Sequence, residues 1–199
     1  MLWDSNGDKG ECAVKIILIR HGSTCGNLKK RYIGRTDEVL CTEGINQLKS
    51  RKYPECELVI SSPMKRCTQT AELIYPHIPI KIYRDLRECD FGSFEGKNYI
   101  ELTGNQEYQH WIDSGGTLPF PEGEAHDSFV KRTLNAFNKG VRENSGCDDL
   151  AFTIHGGSIM AIMERYAVPE GSFYDFSVPN GGGYICEYDG EKLNVSECL

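Results

Sequence analysis

Two histidines in this chain share one arrangement, in which each ends an apolar run and is followed by glycine. His21, preceded by Arg20, closes the nearly continuous run at residues 14–19, and His155 closes the run at residues 150–154. Runs of this length that are rich in β-branched residues are typical of strands buried on both faces. In an open α/β sheet, ligands bind outside the carboxyl ends of the strands. The pattern therefore delivers one arginine and two imidazoles to the place where such folds carry out chemistry.

A second arginine lies where a helix should begin. A strand is predicted at residues 57–60, and Ser62 and Pro63 are typical of an N-cap and a first helical residue. One apolar stripe at helical spacing follows, made of Met64, Cys67, Ala71 and Ile74. Arg66 lies in the first turn and off this stripe, where free backbone N–H groups and the positive end of the helix dipole favour an anion.

Four longer motifs occur in a fixed order along the chain. Residues 20–27 read R-H-G-S-T-C-G-N, and residues 34–47 contain G-x-x-D-x-x-L-x-T-x-G-x-x-Q. Residues 61–71 contain S-S-P-x-x-R-x-x-Q-T-A, and residues 86–96 read L-R-E-C-D-F-G-S-F-E-G. Together with His155, these motifs resemble the signature of the histidine phosphatase (phosphoglycerate mutase-like) superfamily.

The resemblance implies a role for individual side chains. His21 would be the nucleophile that becomes phosphohistidine, and Glu88 would protonate the leaving alcohol and then activate water. Arg20, Arg66 and His155 would meet the oxygens of the phosphoryl group. The other candidates for phosphate or substrate binding are Asn27, Arg35, Thr36 and Gly156. Because Glu88 must donate a proton near neutral pH, we expect its pKa to be raised and its side chain to be partly buried.

The resemblance also implies an architecture, an α/β fold with three α/β/α layers around a central, mostly parallel sheet. Residues 14–199 would form one domain, which agrees with the chain length. A small cap segment at about residues 97–127 would partly cover the pocket, and residues 1–13 would be a flexible extension. The sequence P-F-P-E-G-E at residues 119–124 favours the branch of α-ribazole phosphatases and broad-specificity small-molecule phosphatases.

The predicted function is metal-independent hydrolysis of small-molecule phosphate monoesters through His21, with α-ribazole 5'-phosphate as one candidate substrate. Phosphoryl transfer of the phosphoglycerate mutase type is the alternative within the family, although the short cap segment favours hydrolysis. Cys25 and Arg31 have the C-x5-R spacing of cysteine-dependent phosphatases, but the strand ends well before Cys25. A non-catalytic phosphate-binding module would need neither His21 nor Glu88.

Composition limits the partners that the protein can have. The formal net charge of −7 argues against nucleic acid and anionic membranes, and no apolar run approaches the roughly 20 residues of a membrane span. The expected partner is a small phosphorylated metabolite, with no cofactor and no metal. The chain's 9 cysteines form no C-x-x-C pair and are expected to be reduced, mostly buried thiols in a cytoplasmic protein. The sequence leaves open whether the chain forms a homodimer.

The remaining patterns predict secondary structure with less detail. Thr42 is a plausible N-cap of a short helix, and apolar residues at positions 130, 134, 137 and 141 predict a longer one. Asp189 and Gly190 predict a hairpin turn between strands at residues 184–188 and 193–197. Two positions depart from the family pattern, since Ser23 stands where glutamate is common and Phe94 where tryptophan is usual.

Overall fold

The computed structural model describes residues 13–199, so the extension predicted for residues 1–13 lies outside the described residues except for Ala13. A seven-stranded sheet forms its centre. The order across the sheet is β3 (Ile80–Ile82), β2 (Leu58–Ser61), β4 (Asp149–Ile154), β1 (Val14–Arg20), β6 (Gly183–Tyr188), β7 (Leu193–Cys198) and β5 (Ala167–Val168). Four neighbouring pairs are parallel, and β6 runs antiparallel to both β1 and β7.

Within residues 13–199, six helices accompany the sheet. They are α1 (Cys25–Leu28), α2 (Thr42–Lys49), α3 (Lys65–Ile74), α4 (Gln106–Asp113), α5 (His126–Glu143) and α6 (Gly156–Tyr166). Short 3-10 turns lie at Arg84–Leu86, Gly92–Phe94 and Phe173–Phe176.

Strand β1 has apolar side chains on both faces, and each face packs against helices. Leu18 belongs to the same buried cluster as Phe137 of α5 and Ile159 of α6. Ile17 points the other way and packs in a second cluster with Ala71 of α3. This alternation confirms the predicted three-layer α/β/α fold and the prediction that the first strand is buried on both faces.

The register of the parallel strands aligns their carboxyl ends at one edge of the sheet. Arg20 of β1 pairs with Ile154 of β4, so His21 and His155 leave the sheet at the same level. Ser61 of β2 pairs with Thr153 of β4, which places Ser62 beside the two histidines. The same edge therefore receives functional side chains from three adjacent strands.

Two predicted helix starts are wrong, one by one residue and the other by two. Cys41, and not Thr42, is the N-cap of α2, because its thiol accepts a hydrogen bond from the N–H of Gly44 at 3.4 Å. Helix α3 begins at Lys65 rather than at Pro63. Met64, and not Ser62, is the N-cap of α3, and the hydroxyl of Ser62 is hydrogen-bonded to the ring of His155 at 2.8 Å and accepts from the N–H of Met64 at 3.4 Å.

Other predicted elements agree with the structure to within a few residues. The predicted hairpin is β6 and β7, and Gly190 in its turn has a φ of +99°, which favours glycine. The eight cysteines described are free thiols and five of them are buried, as expected. No helix within residues 13–199 is long and apolar enough to cross a membrane.

Candidate active site

His21 is buried, with 3% of its surface exposed, and its ring is fixed by its own turn. Its Nδ1 lies 2.7 Å from the carbonyl oxygen of Gly22. Because a carbonyl can only accept, Nδ1 carries the proton and Nε2 keeps its lone pair. Burial, reinforced by the positive charges of Arg66 and Arg20, holds the pKa of His21 well below its usual value. The imidazole is thus neutral near pH 7, with one nitrogen available as a nucleophile or base.

The second histidine faces the first. The ring centroids of His21 and His155 are 5.2 Å apart, with an angle of 70° between the rings. Nε2 of His155 is hydrogen-bonded to the hydroxyl of Ser62 at 2.8 Å, and the thiol of Cys67 lies 3.5 Å from the same nitrogen. Burial and the charge of Arg66 lower the pKa of His155 well below its usual value. Two neutral imidazoles with different partners therefore share one site.

Two guanidinium groups supply the positive charge. Arg66 is fully buried and donates to the carbonyl oxygens of Thr36 at 2.8 Å and Gly34 at 2.9 Å. Arg20 donates from Nη1 to the carbonyl oxygen of Val178 at 2.7 Å. Among the described residues, the buried Nε of each arginine has no hydrogen-bond partner. Because an unpaired buried donor is costly, both groups are suited to an anion that accepts from them.

Glu88 reaches this site from the loop after the 3-10 turn Arg84–Leu86. Its carboxylate accepts from the N–H of Cys89 at 2.9 Å and from that of Gly157 at 3.4 Å. The side chain is partly buried, as predicted, and burial raises its pKa. A Cβ at Gly157 would lie 2.6 Å from Oε1 of Glu88, so glycine at the start of α6 gives the carboxylate its space. The raised pKa favours the protonated form of Glu88, the form that a proton donor requires.

Arg20, His21 and Glu88 border a cavity of about 350 Å³, a size that suits a small organic molecule. Arg20, His21, Glu88 and Gly156 lie at its polar end, and Asn27 also lines it. Much of the rest of the wall is aromatic and comes partly from the predicted cap segment. The aromatic lining residues are Tyr32, Phe91, Trp111, Phe120, Phe129, Phe173 and Tyr174.

The family model of the histidine phosphatase superfamily, branch 1, matches residues 16–198. The chain belongs to this superfamily. Its membership confirms the enzyme class predicted from the motifs. It also agrees with the geometry, since the matched region contains both histidines, both arginines and Glu88.

Named relatives and a solved structure agree with the superfamily assignment. A broad-specificity phosphatase of Saccharomyces cerevisiae is 32% identical in an alignment of 165 positions that covers 76% of this chain and 69% of that protein. An adenosylcobalamin/alpha-ribazole phosphatase of Salmonella typhimurium is 26% identical over 84% of this chain and 87% of its own. The crystal structure of phosphoglycerate mutase from Thermus thermophilus has a TM-score of 0.72 at 27% identity, covering 94% of this chain and 98% of that one. The predicted phosphoglycerate mutase-like fold and the predicted branch are confirmed.

Four predicted site residues of this histidine phosphatase are not among the residues that line the cavity: Arg66, His155, Arg35 and Thr36. Arg35 is exposed and pairs with Asp90 at 3.1 Å. Thr36 donates its N–H to Glu95 and accepts from Arg66 through its carbonyl. Neither lines the cavity, so their contact with substrate stays a prediction, and Thr36 supports Arg66 through its backbone.

Some residues that build the site were missed by reasoning from the sequence. Thr70 accepts from the N–H of Gly22 at 3.0 Å and donates to the carbonyl of Arg66 at 2.6 Å, which ties the His21 turn to α3. The Q-T-A motif carried this residue, but no role followed from it. Asn180 donates to the carbonyl of His21 at 3.0 Å and to the Asn27 side chain at 3.3 Å. The sequence around Asn180 held no signal for this contact, because the two partners are more than 150 positions away.

Proposed function

We propose that the protein hydrolyses phosphate monoesters of small molecules through a phosphohistidine at Nε2 of His21. The observation that carries this proposal is the hydrogen bond from Nδ1 of His21 to the carbonyl of Gly22, in a ring whose pKa is well lowered. That bond leaves Nε2 unprotonated at the cavity. A nucleophile that needs no proton removed before it attacks can act at once on a bound phosphoryl group.

In the first step, Nε2 of His21 attacks phosphorus and the bond to the ester oxygen breaks. Glu88 gives its proton to the departing alcohol, so the alcohol leaves neutral. In the second step, water attacks the phosphohistidine while Glu88 takes a proton from it. The P–N bond breaks, inorganic phosphate leaves, and both side chains return to their starting protonation states.

Charge on the equatorial oxygens is balanced by groups that are fixed before substrate arrives. Arg20 and Arg66 have donors without partners, and the backbone N–H groups at the start of α6, near Gly156, face an anion favourably. Most of the catalysis of phosphoryl transfer is positioning and electrostatic stabilisation. The alcohol part of the substrate would lie along the aromatic wall, which suits a flat ring. This agrees with α-ribazole 5'-phosphate as a candidate and with the named specificity of the Salmonella relative.

The test is phosphate release from p-nitrophenyl phosphate and from a panel that includes α-ribazole 5'-phosphate and 3-phosphoglycerate, in the presence of a chelator. We expect turnover by the wild type and by Cys25→Ser, since Cys25 is exposed and does not line the cavity. We expect none by His21→Ala. Loss of activity in Cys25→Ser would instead favour the cysteine-dependent reaction.

Mutase activity is the second candidate, because the Thermus neighbour is named a phosphoglycerate mutase. It is measured on the same samples as isomerisation of 3-phosphoglycerate without phosphate release. Isomerisation faster than hydrolysis would replace the proposed phosphatase activity.

A further inference from the structure

Arg132 on α5 is hydrogen-bonded to the backbone of the loop that carries Glu88. Its Nη1 donates to the carbonyl oxygens of Asp85 at 2.8 Å and Arg87 at 2.7 Å, and its Nη2 donates to that of Glu88 at 2.9 Å. Its remaining N–H groups go to the carboxylate of Glu124, both at 2.7 Å. All five donors of the guanidinium are thereby used.

Glu124 binds the backbone on the other side of Glu88. Its backbone N–H donates to the carbonyl of Asp90 at 2.9 Å, and its carboxylate accepts from the N–H of Asp90 at 3.4 Å. The ion pair with Arg132 is largely shielded, with 13% and 15% of the two side chains exposed. The Arg132–Glu124 pair therefore holds residues on both sides of Glu88.

The guanidinium is itself fixed in place. It lies over the ring of Phe129, 5.0 Å from the ring centroid, and Phe129 is buried and lines the cavity. Arg132 and Glu124 do not line that cavity. Their donors and acceptors are spent on the loop.

The carboxylate of Glu88 has little else to position it. It accepts from the N–H of its own neighbour Cys89 and, at 3.4 Å, from that of Gly157. Its place in the cavity is therefore set mainly by the backbone of its loop. A backbone shift there would move the carboxylate away from the departing oxygen, and proton transfer depends steeply on that distance.

We propose that Arg132, held by Glu124, is a positioning residue that sets the carboxylate of Glu88 for proton transfer to the leaving group. This rests on the proposed function, in which Glu88 is the acid. When the hydrogen bonds of Arg132 to the loop are lost, Glu88 protonates poor leaving groups less efficiently. Phosphate binding stays intact, because Arg20 and Arg66 have no contact with Arg132 among the described hydrogen bonds and ion pairs.

The experiment compares Arg132→Lys with the wild type on two substrates that share an aromatic ring. Without a proton from the acid, benzyl phosphate would have to release a strongly basic alkoxide. The leaving group of p-nitrophenyl phosphate is a stabilised phenolate, which needs no proton. The measured quantity is kcat/KM, which reports the first chemical step. Lysine keeps the charge but cannot make the fork of bonds to three carbonyls and a carboxylate. We expect kcat/KM for benzyl phosphate to fall about tenfold or more beyond any fall for p-nitrophenyl phosphate, within the range of general acid catalysis.

Arg142→Lys is the matched control, because Arg142 lies on the same helix and is exposed. In Arg142→Lys, kcat/KM should stay at the wild-type value for both substrates. If thermal denaturation shows that Arg132→Lys is unfolded, Glu124→Gln is tested in its place. Glutamine keeps the shape of the pair, and kcat/KM should again fall more for benzyl phosphate than for p-nitrophenyl phosphate, by a smaller factor. Equal losses on the two substrates, or none, would overturn the proposal.

Glu88→Gln separates the failure of this proposal from that of the proposed function. If Glu88→Gln selectively lowers kcat/KM for benzyl phosphate and Arg132→Lys does not, the positioning role of Arg132 is wrong and the acid role of Glu88 stands. If Glu88→Gln fails to distinguish the two substrates, Glu88 is not the acid, and both the positioning role and the assigned mechanism fall.

Discussion

At the scale of single residues, burial sets the protonation states on which the chemistry depends. It lowers the pKa of His21 and His155 well below the usual range and raises that of Glu88. A histidine with a lowered pKa is neutral, and a carboxyl with a raised pKa keeps its proton to higher pH. The first shift favours the unprotonated form of His21 and the second the protonated form of Glu88, which are the forms that the proposed mechanism needs.

The first prediction concerns the protonation state of Glu88. The ratio of kcat/KM for benzyl phosphate to that for p-nitrophenyl phosphate should fall as pH rises through the raised pKa of Glu88. The ratio cancels the effect of His21, and each kcat/KM is first corrected for the ionisation of its own substrate, because the two phosphate monoesters differ in their second pKa. It is measured as a pH profile of the two substrates side by side. In Glu88→Gln the ratio should be low at every pH, and a wild-type ratio independent of pH would contradict the assignment.

The second prediction concerns the hydroxyl of Thr70, which links Gly22 to Arg66. Thr70→Val keeps the shape but leaves the N–H of Gly22 without its partner, at a cost of about 1–3 kcal/mol in the free energy of unfolding. Because the turn of His21 is then less well held, kcat should fall as well. Urea denaturation and steady-state kinetics measure both effects.

Thr133→Val is a matched control for Thr70→Val. Thr133 is fully buried like Thr70, but its hydroxyl has no partner among the described residues. The same exchange should therefore leave stability unchanged or improve it, and activity should not change. If both variants lose the same stability, the link through Thr70 contributes nothing of its own.

At the scale of elements, helix α4 supplies part of the aromatic wall. Trp111 stacks on Phe120, with ring centroids 5.0 Å apart and an angle of 29° between the rings. The third prediction is that Trp111→Ala raises KM for aryl phosphates about tenfold, roughly the worth of an aromatic contact, while kcat changes little. Inhibition by inorganic phosphate should be unaffected, since the side chains proposed to bind phosphate do not lie on α4.

Ile112→Ala provides the comparison for Trp111→Ala on the same helix. Ile112 is 46% exposed and does not line the cavity, so KM should stay at the wild-type value. An unchanged KM in Trp111→Ala would mean that the aromatic wall does not contact the substrate.

The sequence predicted the elements that carry strong local signals. Buried apolar runs marked β1 and β4, and glycines after His21 and His155 marked their ends. The bond between Ser62 and His155 was not predictable, because a serine before Pro63 is equally typical of a helix N-cap. The five bonds of Arg132 join residues 8 to 47 positions apart, and no local pattern encodes such contacts. Hence the sequence predicted the candidate reacting groups, whereas the contacts that hold them became visible only in the folded structure.

At the scale of the whole molecule, the neutral histidines make folding sensitive to pH. An unfolded histidine has a pKa of about 6.5, and the folded values of His21 and His155 lie well below it. The unfolded chain therefore binds more protons below about pH 6.5, so stability falls as pH decreases. Glu88 acts in the opposite direction, because its raised pKa favours the folded state at low pH.

The fourth prediction follows from two histidines opposing one carboxyl group. The free energy of unfolding should decrease between about pH 7 and pH 5, by up to roughly 1.4 kcal/mol per pH unit for each histidine. Urea denaturation across this range measures it. His155→Asn should flatten the slope, and a slope that is the same in this variant would show that His155 is already charged in the folded state.

The most direct test of the account is to find where the phosphoryl group resides during turnover. The enzyme is mixed with substrate, quenched in base within a turnover and digested, and the phosphorylated peptide is identified by mass spectrometry. We predict a phosphoryl group on His21 that is stable to base and labile to acid, and none in His21→Ala. Label on His155 or Cys25, or full turnover by His21→Ala, would contradict the account.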